Sequence, residues 1–311
     1  MSAHRHHSRA PAPPGADLDF GDYLAEQRKR VEAELDRRLP PENQPPETLH
    51  RAMRYSVFAG GKRIRPILCL AAAEAIADRA PGVEAAACAL ELVHTYSLIH
   101  DDLPALDNDD FRRGRPTCHK QFGEAIAILA GDALLTLAFQ VLAGAEGPDE
   151  ATKARLVEEL AGAAGTQDGM IAGQVADLEG EGKPPTAELL ETIHRAKTGA
   201  LLRASVRMGA LCAGAGDQER EALSRYGRHI GLAFQIVDDL LDVEQPSEAL
   251  GKTAGKDARQ NKITFPAVYG LAASHRMAEQ QLAAALRELE PFGPRGRRLR
   301  ELAELIVRRQ K

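Results

Sequence analysis

The stretch "LVHTYSLIHDDLPALDNDDFRRG", residues 92–114, opens as an apolar helix face. It closes with five aspartates in ten residues, followed at once by Arg112 and Arg113. Its apolar half carries no strand-like alternation, so the segment reads as a helix that runs into a charged terminus. Asp101 and Asp107 lie six positions apart, about 240° round a regular helix, and could not share a ligand there. Pro104 removes a backbone donor and disturbs the preceding turn, which lets the chain bend and bring the later carboxylate round. A pair of carboxylates at a helix end suits a hard cation such as magnesium, which completes its shell with water and phosphate oxygens. An acidic stretch alone is often just a solvated terminus. A second one, "FQIVDDLLD" at 234–242, shifts the reading. There Asp238 and Asp242 stand i,i+4 on one face, among Phe234, Ile236, Val237, Leu240 and Leu241, where bare carboxylates would be costly without cations. The two clusters suggest facing helices that clamp a shared metal site.

Outward from these segments, the chain is helical nearly throughout. Apolar residues recur at helical spacing over Phe20–Leu39, Val83–His100, Phe122–Leu142, Ala151–Ala164, Ala187–Cys212, Asp217–Asp242 and Ile263–Leu289. Proline and glycine punctuate between them, as in "PPENQPP" at 40–46, "GEGKPP" at 180–185 and "PFGPRG" at 291–296. Several helices are apolar over most of their circumference, as inner helices of a large bundle are. The expected fold class is therefore all-α, a bundle of roughly ten or more helices around one central cavity. Residues 18–311 are expected to form a single domain, with residues 1–17, rich in Pro, Ala, Ser and His, as a disordered tail. That opening lacks an apolar core and is not read as a secretory signal. Ala125–Leu142 is cut by Gly131, Asp132 and Gln140, so no membrane span is expected. The net charge of −5 argues against nucleic acid as a partner. Cys69, Cys88, Cys118 and Cys212 show no metal-like spacing and read as reduced intracellular thiols, so a cytoplasmic location is expected.

Clustered cations complete the pattern. "GGKRIRP" at 60–66 places Lys62 and Arg65 three apart beside glycines that permit close approach to a ligand. Arg112 and Arg113 follow the first acidic cluster, Lys197 and Thr198 sit in "RAKTGALLRAS", and Lys252 and Lys262 follow the second cluster. Arginine forks match phosphate oxygens and lysine supplies a movable charge. Together they fit two phosphorylated substrates, one bound through metal and one directly.

"GGKRIRP", "YSLIHDDLPALDNDDFRRGRPTCHK", "GDALLTLAF", "KTGAL", "FQIVDDLLD" and "GK" followed by "NKITFP" stand in one order over residues 60–266. In that order they resemble the trans-isoprenyl diphosphate synthases of the polyprenyl synthetase family, and most closely the bacterial farnesyl diphosphate synthases. The resemblance implies the type I isoprenoid synthase fold and a homodimer. It implies that Asp101, Asp102 and Asp107, with Asp238, Asp239 and Asp242, hold three magnesium ions on an allylic diphosphate. Arg112, Lys197, Thr198, Gln235, Lys252 and Lys262 match positions that contact that diphosphate. Gly61, Lys62, Arg65, His94 and Arg113 match those that bind isopentenyl diphosphate. Asp101, Asp102, Asp107, Lys197 and Asp238 are the expected catalytic set.

The implied reaction joins isopentenyl diphosphate to dimethylallyl and then geranyl diphosphate, giving (2E,6E)-farnesyl diphosphate and diphosphate. Charge growing on the leaving diphosphate is stabilised by metal and cationic side chains, and the apolar helix before the aspartates keeps water from the allylic cation. Tyr96 and Ser97, five and four positions before Asp101, are placed to form the floor of the slot for the growing chain. Tyr96 as a plain core residue is the other reading, so a geranylgeranyl product stays open. A terpene cyclase would carry a different second metal motif, and a head-to-head synthase would not need "GGKRIRP". A non-catalytic regulatory subunit would usually lack one acidic motif.

Overall fold

The computed structural model describes residues 18–184, 186–244 and 263–309. The expected tail at 1–17, Lys252 and Lys262, and Gln310 and Lys311 lie outside the described residues. The described chain is a bundle of helices: α1 (Phe20–Arg38), α2 (Glu47–Val57), α3 (Ile64–Ile76), α4 (Val83–Asp101), α5 (Cys118–Phe122), α6 (Glu124–Ala143), α7 (Glu150–Ala164), α8 (Met170–Gly180) and α9 (Ala187–His194). After a π-helical stretch, Arg195–Gly199, come α10 (Ala200–Cys212), α11 (Asp217–Glu244), α12 (Phe265–Tyr269), α13 (Leu271–Glu288), a 3₁₀ stretch (Glu290–Gly296) and α14 (Arg297–Arg308). The strands β1 (Phe111–Arg112) and β2 (Arg115–Pro116) form a hairpin too short to leave a period-two signature.

The axis of the fold is α4. Its run of small residues, Ala85–Ala89, is buried all round and lets α3, α6 and α10 approach closely. A Cβ on Gly209 of α10 would sit 2.1 Å from the Cys69 carbonyl oxygen of α3, so only glycine fits that crossing. A second core joins α3, α11, α13 and α14, where the buried Tyr226 hydroxyl donates to the Leu299 carbonyl at 2.7 Å. Helix α6 has the length and apolar composition of a membrane span. In the fold it buries Ala127, Ala130, Leu134 and Ala138 against the bundle and leaves Ile128 and Leu129 exposed.

Three of the expected helices are subdivided. Gly123 at φ 85° and Gly270 at φ 78° break two of them, and the π-helical stretch interrupts 187–212. Helices α2, α3, α8 and α14 were not expected. The first three are only 11 to 13 residues long, and α3 is apolar over most of its circumference, so no stripe marks it.

Candidate active site

The first acidic cluster forms where α4 ends. After Asp101 the chain curls back through Pro104, and the Asp107 amide donates to the Asp101 carbonyl at 2.8 Å. Asn108, in the left-handed region at φ 49°, closes the turn with a bond to the Leu103 carbonyl at 3.1 Å. The bend that Pro104 leads one to expect is thus present and returns Asp107 to Asp101. Burial, with the nearby Asp107 and Asp102 charges and against the pull of Lys197 and Arg112, pushes the Asp101 carboxyl up to about 6.

Asp102 is placed differently. It is 3% exposed, and Arg112 grips both of its oxygens, Nε at 2.9 Å from each and Nη2 at 2.6 Å from Oδ1. Arg112 comes from the β1–β2 hairpin, whose two turn residues, Arg113 and Gly114, both have positive φ, the arrangement that suits a two-residue turn.

Lys197 faces this cluster from the π-helical stretch, a local geometry common at functional sites. Its Nζ is 2.7 Å from Oδ2 of Asp177 on α8. The sequence reading missed Asp177, since one carboxylate on an amphipathic helix carries no signal of its own. The same helix meets the lysine's backbone through Gly173, where an added Cβ would lie 2.1 Å from the Lys197 nitrogen. Gly173→Ala must therefore displace Lys197. Turnover is expected to fall about 10²-fold with helix content unchanged, as steady-state kinetics beside circular dichroism would show. Thr198, next in the π-helical stretch, and Gln235 on α11 are half-buried.

The second cluster lies on α11. Asp238 and Asp242 are half-buried and Asp239 is 5% exposed. Asp238 receives Nη2 of Arg309 at 2.5 Å. Arg309 also lies 3.9 Å above the Phe234 ring and donates to the Phe234 carbonyl at 2.9 Å. The C-terminal segment therefore reaches the acidic cluster. Asp239 accepts from the Phe265 amide at 2.9 Å.

A positive group stands beside both clusters. Gly60 and Gly61, at φ 92° and 131°, shape the turn before α3, and Arg113 donates to the Gly60 carbonyl. A Cβ on Gly61 would lie 2.8 Å from the Arg113 guanidinium, so glycine keeps that cation in place. Arg65 is pushed down to about 10, by burial first and in part by Arg113 and Arg309, and remains charged at neutral pH. Lys62 is lowered by burial and Arg309. Burial and the Arg65 and Arg113 charges hold His94 well below its usual range, as a neutral imidazole. Cations gathered closely enough to depress one another's pKa values make a receptor for a multivalent anion. Behind them Arg63, also missed by the sequence reading, donates to buried Glu91 at 2.6 Å and to the Val57 carbonyl at 2.7 Å.

Tyr96 is 6% exposed and meets His100 edge-on, ring centres 5.7 Å apart. Burial and the Asp101 charge push its phenol up to about 12, so the ring lies near that carboxylate. Ser97 donates to the His94 carbonyl at 2.9 Å.

The model of the polyprenyl synthetase family matches residues 46–292. The chain belongs to that family. Over 299 residues it is 48% identical to the farnesyl diphosphate synthase of Geobacillus stearothermophilus, spanning 94% of this chain and 99% of that one. It is 49% identical over 271 residues to the heterodimeric geranylgeranyl pyrophosphate synthase large subunit 1 of Arabidopsis thaliana, 85% of this chain and 72% of that one. Among solved structures, the geranyltransferase of Helicobacter pylori, complexed with magnesium and isoprenyl diphosphate, superposes with a TM-score of 0.81 at 32% identity. That match covers 94% of this chain and 97% of that one. The bundle is thus the all-α isoprenoid synthase fold, as the sequence resemblance implies.

Proposed function

We propose that this chain is a magnesium-dependent prenyltransferase that condenses isopentenyl diphosphate with dimethylallyl and then geranyl diphosphate, releasing (2E,6E)-farnesyl diphosphate and diphosphate. The observation that carries this reading is the meeting of Asp101, Asp107 and Lys197 at the end of an apolar helix, with a separate group of cations, Lys62, Arg65 and Arg113, beside the neutral His94. The donor set fits the metal. Asp101 and Asp107 offer hard oxygens whose mutual repulsion a divalent cation would relieve. A magnesium ion on so few carboxylates completes its shell with water and substrate phosphate oxygens.

The two acidic motifs, Asp101, Asp102 and Asp107 on one side and Asp238, Asp239 and Asp242 on the other, are the carboxylates to hold three magnesium ions in all. Bound magnesium supplies Lewis acidity that stabilises charge on the departing diphosphate. Lys197, oriented by Asp177, adds a fixed positive charge at the same group, with Arg112, Thr198, Gln235, Lys252 and Lys262 as further contacts. Gly61, Lys62, Arg65, His94 and Arg113 receive isopentenyl diphosphate, His94 as a neutral hydrogen-bonding group. The buried aliphatic walls of α4 keep water from the allylic cation, and the released diphosphate takes the final proton. Tyr96, buried near Asp101, forms the floor that stops growth at fifteen carbons, with Ser97 beside it. The exposed Ile128 and Leu129 on α6 are the apolar strip on which a second copy pairs, and the four buried thiols suit the cytoplasm.

The test is product analysis after incubation with isopentenyl diphosphate and each of dimethylallyl, geranyl and farnesyl diphosphate, with magnesium or chelator. Magnesium-dependent farnesyl diphosphate, with farnesyl diphosphate refused as starter, is expected. A twenty-carbon product would remove Tyr96 as floor and leave the chemistry, and no condensation under any combination would sink the enzyme reading.

A further inference from the structure

We propose that Asp239 acts as a positioning residue and does not ligate metal: with His194 and the Phe265 amide it locks the second acidic helix to the stretch that carries Lys197. The inference rests on the prenyltransferase reading above and assigns one of its six aspartates a different task. Asp239 is one residue on from Asp238, so its side chain leaves α11 about 100° round from Asp238 and about 60° from Asp242. It points into the core, 5% exposed. Its Oδ2 accepts from the Phe265 amide at 2.9 Å, one of the donors at the start of α12 that the helix itself leaves unpaired. The same oxygen is 3.3 Å from Nε2 of His194, which is 6% exposed. The His194 ring lies against Phe265, centres 5.3 Å apart and planes 17° apart, and Phe265 in turn stacks on Tyr269 at 5.9 Å. The enclosed carboxylate is thus bonded to the Phe265 amide and lies within ion-pair distance of His194, whose buried Nε2 has no hydrogen-bond partner among the described residues.

What this node holds is the spacing between two walls of the site. His194 ends α9 and is followed directly by the π-helical stretch in which Lys197 stands. Asp239 is the neighbour of Asp238. A second contact joins the same two segments, since a Cβ on Gly231 of α11 would lie 2.9 Å from the Gly199 Cα at the far end of the π stretch. Gly231 and Asp239 are about 12 Å apart along α11 at 1.5 Å per residue, so the lysine stretch is held at both of its ends.

The experiment compares Asp239→Asn with Asp238→Asn in the full-length enzyme, by steady-state kinetics in both substrates and by calorimetric titration of magnesium into the enzyme with inorganic diphosphate. Asp239→Asn keeps an acceptor for the Phe265 amide but loses the anionic oxygen beside His194. It is expected to raise the KM for the allylic diphosphate about tenfold, with the KM for isopentenyl diphosphate and the half-saturating magnesium concentration within about twofold of the parent. Asp238→Asn should raise that half-saturating concentration about tenfold or more. His194→Ala should reproduce the Asp239→Asn pattern, His194→Gln should recover part of it, and the double variant Asp239→Asn/His194→Ala should be no worse than the single ones. A half-saturating magnesium concentration in Asp239→Asn raised as far as in Asp238→Asn would overturn the proposal, as would loss of active enzyme with both KM values unchanged. Absence of condensation by the parent enzyme would instead remove the reading beneath it.

Discussion

Asp101→Asn is expected to abolish most of the turnover and, in the metal-free enzyme, to raise stability. The first effect follows from what the carboxylate is for. A preorganised charge at the group where charge develops is typically responsible for about 10²–10³-fold in rate, and Asp101 acts together with Asp107, so a loss of about 10³-fold is expected from kinetics at saturating magnesium. The second follows from its surroundings. Its carboxyl is pushed from the ordinary 3.8 up to about 6, by burial first and by Asp107 and Asp102. The folded state therefore binds this proton more tightly than the unfolded chain does. Its charged form costs nothing below about pH 4 and progressively more as pH rises through 6. Two pH units correspond to about 3 kcal/mol, and partial solvent access reduces that to about 1–2 kcal/mol. Thermal unfolding with chelator should show Asp101→Asn more stable than the parent at pH 8 and equal to it near pH 4. Equal stability at pH 8 would mean that the carboxylate is not strained by its neighbours. The trade is familiar in kind: a site that stores repulsion for a cation is less stable until the cation arrives.

The acidic clusters were legible in the sequence because charge on an apolar helix is rare enough to be noticed, and Pro104 said how the first one folds. The division of labour inside each cluster was not legible. Asp101 and Asp102 are adjacent letters, yet one turns toward Asp107 and Lys197 and the other is closed off by Arg112, because the hairpin that delivers Arg112 is set by two positive-φ residues with no periodic signature. Asp238 and Asp239 divide in the same way, one toward Arg309 and one toward Phe265. The i,i+4 spacing identified which of them share a face with Asp242, and tertiary contacts decided the rest. Asp177 and Glu91 escaped notice for a related reason: each carboxylate serves a cation far away in sequence, and a single acidic residue on a helix looks the same whether it faces water or a lysine. The fold class followed from composition and period. The π-helical stretch did not, since "RAKTG" has no residue that excludes a regular turn, and the widening comes with Gly173 packed against the Lys197 backbone.

Glu91→Ala is expected to cost more stability than any other single change at the isopentenyl side, about 3–5 kcal/mol, because it strands a buried guanidinium. The Arg63 side chain is 1% exposed and that of Glu91 4%, with 2.6 Å between Nη1 and Oε1. Glu32 stands 3.7 Å from the other side of the guanidinium and is itself one-third exposed, too hydrated to replace Glu91. Arg63 cannot swing away cheaply. It precedes α3 at φ 54°, a conformation few side chains adopt, and its Nη2 is tied to the Val57 carbonyl at 2.7 Å. Function should follow stability here, since Lys62 and Arg65 flank Arg63 and the Glu91 charge raises the pKa of Arg65 and Arg113. The KM for isopentenyl diphosphate should therefore rise in Glu91→Gln, which keeps an acceptor for Arg63, while that for the allylic substrate stays near its parent value. Denaturant unfolding of Glu91→Ala, Glu91→Gln and the paired Arg63→Met/Glu91→Leu decides the matter: removing both charges together should recover most of the loss, because what the fold cannot tolerate is one of them without the other. If the pair and the single alanine variant lose the same amount, the ion pair is not what holds the turn.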